Sequence, residues 1–406
     1  MTTTARYDAA QFPKPSLPAL PVLSSLKLNR TASNTIPAGV LTCTHRVHLY
    51  SGRYAIFLAL QCANIGAGDR ILVPAYHCLA MIEPLRLSGV EPVYYPLNAD
   101  LSVTVTELSK RIDQNVKAII VVHYFGFPQN FQAIRHLADQ YHLIMLEDCA
   151  HTCFGQKEGI GVGHLGDYAI ASTMKFYPSV HGGILASAHH ELKTDGLKQP
   201  SFAVEVKTLI NGLELAHQYG RLAYFGKLLK MIAWLKLLVF KLKSPSTNKV
   251  ISANKTNQNP PPEYAMSPAW LGCQASRVSQ FFMQQTRIND LVQMRQAHYD
   301  QFLAALQNRS DCRPLYPIRT PESVPQVFPL YVNNCLPVFV QLKKQGVPII
   351  RFGEFLDDAV TGNTCQVSLD YAEHVLQFPC HQSLSKVEVK WIIARLILAL
   401  DANSDI

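Results

Sequence analysis

The sequence predicts an α/β fold, with a mostly parallel central sheet covered by helices on both faces and a smaller α+β domain towards the C-terminus. Three observations predict it. From Val47 to about Ser187, short apolar runs alternate with amphipathic stretches, the pattern of strand–helix–strand crossover units. At 406 residues, 48% hydrophobic and 16% charged, the chain is globular and long enough for one large and one smaller domain. A polar stretch ending in Pro260-Pro261-Pro262 reads as a linker between them. The expected division is an N-terminal arm over 1–44, a large domain over 45–200, a basic helical insertion with its linker over 201–262, and a C-terminal domain over 263–406.

The elements follow in order. Ala55–Ala63 reads as a helix, Arg70–Val73 as a buried strand stopped by Pro74, and His77–Ser88 as a helix. Pro92–Tyr95 is a strand, Val105–Ile112 a helix, and the β-branched run Ala118–Val122 a buried strand. Phe131–Tyr141 is helical, and Leu143–Leu146 is a strand running into Glu147-Asp148. Tyr168–Ser172 and Ile184–Ser187 complete the strands, the latter introduced by Gly182-Gly183. Beyond the linker, Phe281–Leu306 reads as one long helix and Val387–Leu400 as the last.

The formal charge of +8 is local rather than general, so it does not argue for nucleic acid. Ten scattered cysteines without a Cys-x-x-Cys pair read as reduced thiols of a cytoplasmic protein, and no metal site is expected. The N-terminus shows no apolar segment of signal-peptide or spanning type. A nicotinamide enzyme is disfavoured because no Gly-x-Gly-x-x-Gly follows the first strand.

Four local features carry chemistry. Ser51-Gly52-Arg53 opens the first helix, where backbone N–H groups can hold a phosphate; a plain capping turn is the simpler reading of these residues alone. Tyr76 and His77 follow a strand end, where a ring could stack on a flat cofactor or simply pack. Asp148 ends a buried strand and must be paired if it is charged; a protonated pyridine nitrogen is one such partner, and His151 lies three residues on. Lys175 follows a strand with the Ser172 hydroxyl three residues before it, and a desolvated lysine amine can condense with an aldehyde. A loop lysine taken alone is more often solvated.

Taken in order, these features resemble the DegT/DnrJ/EryC1/StrS family of fold-type-I, pyridoxal-phosphate-dependent aminotransferases. The likeness runs from about Leu49 to Ser187 and includes Gly66-Ala67-Gly68-Asp69, Glu147-Asp148 with His151, Gly166-Asp167 and Gly182-Gly183. It resumes weakly near Pro268–Tyr299 and at Phe378-Pro379-Cys380-His381. The resemblance implies pyridoxal 5'-phosphate linked to Lys175, Asp148 on the pyridine nitrogen and His151 over or beside the ring. It also implies phosphate-binding amides at Gly52 and Arg53, with the Ser172 hydroxyl on the phosphate. The implied activity is amino transfer from glutamate or glutamine to a keto acceptor, a nucleotide-linked keto sugar first, by a homodimer. Another reaction on the same cofactor, of dehydratase or amino-acid-processing type, and a non-catalytic role are the alternatives.

Two departures stand out. The serine lies three residues before the lysine, whereas the family commonly has five. An alignment of Phe176-Tyr177-Pro178 on the family's Phe-Tyr-Pro instead puts Val180 at the lysine position and leaves only His181 before the glycine pair. Lys175 leaves six residues there, close to the family's spacing, and is preferred. In addition, Cys78 stands where many relatives have an aromatic residue, which passes the stacking role to Tyr76 or His77.

Residues 215–262 contain no acidic residue. On a helical wheel Lys227, Lys230 and Lys241 share one side, with Arg221, Lys236 and Lys243 on the other. Within 221–243 no charge-free run is longer than Met231–Leu235, which is too short to span a bilayer. The stretch therefore reads first as an insertion packing on the fold or a partner subunit. Anionic substrate binding or weak peripheral membrane contact through 221–243 are the alternatives.

Overall fold

The structure is a computed structural model, and it describes residues 12–24, 36–222 and 264–403. The expected basic helix beyond Leu222, its Met231–Leu235 run and the triple-proline linker lie outside the described residues. Arg221, at the edge of that stretch, pairs with Glu388 at 2.8 Å.

Seven strands form the large sheet in the order β1-β9-β8-β5-β4-β2-β3. They are β1 (His45–Leu49), β2 (Arg70–Pro74), β3 (Glu91–Tyr95), β4 (Val116–Val122), β5 (Ile144–Asp148), β8 (Tyr168–Ala171) and β9 (Gly183–Ser187). A two-residue ribbon, β6 (Gln156–Lys157) with β7 (Ile160–Gly161), lies apart from the sheet. β2, β3, β4, β5 and β8 pair in parallel. β9 is antiparallel to both β8 and β1. β1 therefore runs the same way as β8, and β9 alone runs against the sheet. The C-terminal ends of β1, β2, β3, β4, β5 and β8, together with the start of β9, share one edge.

The helices α1 (Gly52–Cys62), α2 (Leu79–Leu87), α3 (Val105–Ser109) and α4 (Gln132–Gln140) connect the first strands. Each expected element of this region is present, with moved ends. α3 stops at Ser109 rather than Ile112, and Leu108 is the one buried side chain that holds it down. β5 extends through both carboxylates, so Glu147 and Asp148 are the last strand residues and point to opposite faces.

The second sheet is antiparallel, in the order β10-β11-β13-β12, from β10 (Cys312–Pro314), β11 (Val327–Val332), β12 (Ile350–Arg351) and β13 (Val375–Pro379). The expected helix over Phe281–Leu306 is two helices, Arg277–Gln284 and Ile288–Leu306. The break lies at Gln285-Thr286-Arg287, where the Thr286 hydroxyl donates to the Phe282 carbonyl and Arg287 turns extended. The last helix, Lys386–Asp401, starts on a capping box between Ser385 and Glu388. The segment 12–24 lies against this region, with Val22 bonded to Ser383 and the Pro18 carbonyl to His381. Among the described residues no helix is long and apolar enough to cross a membrane.

Candidate active site

Because six strands end and β9 begins at one edge, residues far apart in sequence meet there. The closest approach is between Ser51-Gly52 and Gly182-Gly183. A Cβ on Gly183 would lie 2.2 Å from the Ser51 carbonyl carbon and 2.4 Å from the Gly52 nitrogen, so only glycine lets β9 start beside α1. A Cβ on Gly52 would lie 3.8 Å from the Ser172 Cβ, which places the end of β8 against the start of α1. The first amides of α1 have no acceptor inside the helix. The Ser51 hydroxyl is buried without a hydrogen-bond partner among the described residues. This is a cradle of donors for an anion.

Asp148 and Lys175 face one another across the same edge. Asp148 is 7% exposed, and one of its oxygens accepts the Ala150 amide at 2.8 Å. Burial raises its pKa, opposed by that amide and by the charge of Lys175. Lys175 closes a single turn, Thr173–Lys175, after β8. Its side chain keeps some exposed surface, as a cleft-lining group does, yet the protein crowds its amine. Burial lowers the Lys175 pKa, opposed by the neighbouring Cys78 thiol and Asp148. Val180, the competing position, instead directs its side chain towards Gly212 of α5 (Phe202–Gln218).

His151 is buried, and its Nδ1 has no partner among the described residues. Phe125 stacks on it at 5.5 Å between centroids, and Phe352, from the second sheet's region, packs edge-on at 4.9 Å. Burial and the charge of Lys175 hold its pKa well below the ordinary value, so the ring is neutral.

Two expected residues, Tyr76 and His77, point elsewhere. Tyr76 is fully buried among Tyr124, Phe352 and Tyr371 rather than at the open edge. His77 has both nitrogens engaged, Nδ1 with the Pro74 carbonyl at 3.1 Å and Nε2 accepting the Asp357 amide at 3.1 Å. It also stacks on Tyr94, and burial lowers its pKa to about 4. These two rings therefore lock the strand end to the second sheet's region, and the geometry offers neither as a stacking partner. The Arg53 side chain donates to the Ala265 carbonyl at 2.9 Å and leaves only its backbone amide at the cradle. Cys78 caps α2 beside Lys175 and Asp148.

Glu147 faces away from Asp148. Its Oε1 accepts the amides of Leu165 and Gly166, and its Oε2 accepts Gly163 and the His123 ring at 2.9 Å. Burial would raise its pKa, but these four donors outweigh burial and lower it. Cys149 lies close enough to make a three-residue cluster with them. Both Glu147 oxygens are already occupied, so the cluster braces β5.

The comparisons with known proteins bear on this same segment. Residues 38–201 match the DegT/DnrJ/EryC1/StrS aminotransferase family. A UDP-N-acetyl-3-dehydro-alpha-D-glucosamine 3-aminotransferase of Acidithiobacillus ferrooxidans is 34% identical over 163 residues, 38% of this chain and 43% of that protein. A GDP-perosamine synthase of Vibrio cholerae is 30% identical over 156 residues, 37% of this chain and 42% of the other. The alignments thus span less than half the length of these relatives. Solved structures share the fold over more of the chain. The aminotransferase TlmJ from Streptoalloteichus hindustanus has a TM-score of 0.61 at 18% identity, covering 89% of this chain and 87% of its own. The pyridoxamine-phosphate (PMP) form of a sugar aminotransferase, Spr1654 from Streptococcus pneumoniae, has 0.63 at 17%, covering 89% of each. The α/β architecture with a second, smaller sheet is the fold of these solved structures.

The donor set fits the cofactor that the family implies. The Ser51 hydroxyl and the Gly52 and Arg53 amides at the start of α1 suit a phosphate, and Asp148 suits a protonated pyridine nitrogen. The unpartnered His151 Nδ1 suits a polar ring substituent, and the desolvated Lys175 amine suits an aldehyde.

Proposed function

We propose that the chain is a pyridoxal-phosphate-dependent aminotransferase that moves an amino group from an amino acid, glutamate or glutamine, to a keto acceptor on a nucleotide-linked sugar. The observation that carries the proposal is the convergence of Lys175, Asp148, His151 and the Gly52–Ser172 cradle on one sheet edge. The names of the two curated relatives, both sugar-nucleotide enzymes, support the acceptor class. Pyridoxal 5'-phosphate would supply an electron sink for negative charge developing beside the donor nitrogen.

The chain's own residues do the rest. Gly52, Arg53 (through its amide), Ser51 and Ser172 would hold the phosphate. Asp148 stays ionised against a pyridinium proton, which offsets the burial that otherwise raises its pKa. His151 stays neutral and orients the ring. Lys175 would hold the cofactor through its amine, and Nζ, when free, would accept the proton lost from the donor carbon and later return it. Burial lowers its pKa, which raises the neutral fraction able to accept that proton. The reading extends to a homodimer in the cytoplasm, where ten unbridged cysteines are stable. Multiple-turnover assays with glutamate or glutamine and nucleotide-linked keto sugars test it. Amino-sugar product with stoichiometric keto acid supports amino transfer, and loss of water without amino transfer indicates the dehydratase-type alternative.

A further inference from the structure

The turn bearing Lys175 is not held by its own segment alone. Arg295, on the helix Ile288–Leu306, is fully buried, 120 residues further along the chain. Its Nη2 donates to the Lys175 carbonyl at 2.8 Å, and its Nη1 to the Pro325 and Gln326 carbonyls at 3.0 and 3.1 Å. Its Nε donates to the Gln382 Oε1 at 3.1 Å, and Gln382 in turn donates from Nε2 to the Phe176 carbonyl at 2.6 Å. The guanidinium carbon lies 4.7 Å from the Phe176 ring centroid. Among the described residues no carboxylate pairs with Arg295, so a cation is buried here on carbonyl and amide oxygens alone.

That arrangement is costly unless each donor is used. It has a specific object, the carbonyls of Lys175 and Phe176. A three-residue turn leaves those carbonyls without partners of its own. Fixing the Lys175 carbonyl fixes the root of the side chain whose tip faces Asp148, and an ångström of misplacement is worth roughly a hundredfold in rate.

We infer that Arg295 and Gln382, both outside the family-matched segment, are positioning residues that hold the Lys175 main chain and so set the exposure and aim of its amine. The inference rests on the proposed role of Lys175 and deepens it. The C-terminal half then takes part in the chemistry of a lysine it does not contain.

The test uses the full chain without cofactor, so it does not depend on catalysis. Acetic anhydride labelling across a pH series, with the modified lysines quantified by mass spectrometry, gives a titration midpoint for Lys175, with the exposed Lys193 as internal reference. In Gln382→Ala the Lys175 midpoint should rise by about one pH unit as water reaches the amine, with Lys193 unchanged. Arg295→Lys, which keeps the charge and loses the fork, should give a smaller rise. Added pyridoxal phosphate then gives a second readout, a roughly 10- to 100-fold lower kcat at nearly constant KM. Should Arg295→Lys fail to fold, Gln382→Ala decides alone. A folded Gln382→Ala with an unchanged Lys175 midpoint overturns the inference. A shifted midpoint in a protein whose parent takes up no cofactor at Lys175 upholds the positioning and overturns the proposed function instead.

Discussion

Replacing Glu147 by Gln keeps the side chain's shape and removes its charge, and the structure says this should be expensive. The Gln129 amide donates to His123 Nδ1 at 3.0 Å, so the His123 proton sits on Nε2 and points at Glu147. All four neighbours of the carboxylate are therefore donors, two on each oxygen. A glutamine amide turned either way presents its NH2 to two of them and leaves those two without an acceptor. At about 1–3 kcal/mol per buried unsatisfied group, the loss is about 2–6 kcal/mol. Urea unfolding followed by circular dichroism at pH 7 measures it. The pH dependence adds a second check. The folded-state pKa of Glu147 lies below its ordinary 4.5, so its contribution is complete above that value and is lost as pH falls through the lower one. Glu147→Gln should remove that part of the acid sensitivity. A loss under about 1 kcal/mol at pH 7 would refute the donor assignment.

Other perturbations follow from the same geometry. Gly183→Ala drives a methyl into the Ser51–Gly52 backbone; it should cost about 1–3 kcal/mol and weaken pyridoxal phosphate more than pyridoxal, as measured by fluorescence titration. Asp148→Asn removes the charged partner of the ring nitrogen and should lower kcat by roughly 30- to 5,000-fold, from about 2–5 kcal/mol for one member of a buried charge pair; an unchanged rate removes Asp148 from the mechanism. His77→Ala should loosen the 352–360 segment, seen as faster hydrogen exchange at Asp357, whose amide donates to the ring.

The fold was largely legible because its strands are short apolar runs that only a covered parallel sheet can bury. The site was legible where the chain makes its own chemistry local, as at Asp148 and at the Ser172–Lys175 turn. Tyr76 and His77 show the limit. Both follow a strand end at the right edge, but their direction depends on Phe352 and Asp357, nearly 300 residues away. The helix break at Thr286 has no glycine or proline to announce it. Arg295 did leave a signal. It shares the buried face of its helix with Ile288, Leu291, His298, Tyr299, Phe302 and Leu306, and an arginine on an apolar face asks for a partner. Which carbonyls it serves becomes visible only once the two halves are brought together. Neither Phe125 nor Phe352, the rings that enclose His151, stood in any motif.

The central claim is that Lys175 is the covalent anchor, and one measurement addresses it directly. The protein is incubated with pyridoxal 5'-phosphate, reduced with borohydride, digested and mapped by mass spectrometry. The account predicts a visible absorbance band that reduction abolishes and a single phosphopyridoxyl adduct on Lys175, absent in Lys175→Ala. No band and no adduct, or an adduct of equal yield in Lys175→Ala, would contradict it.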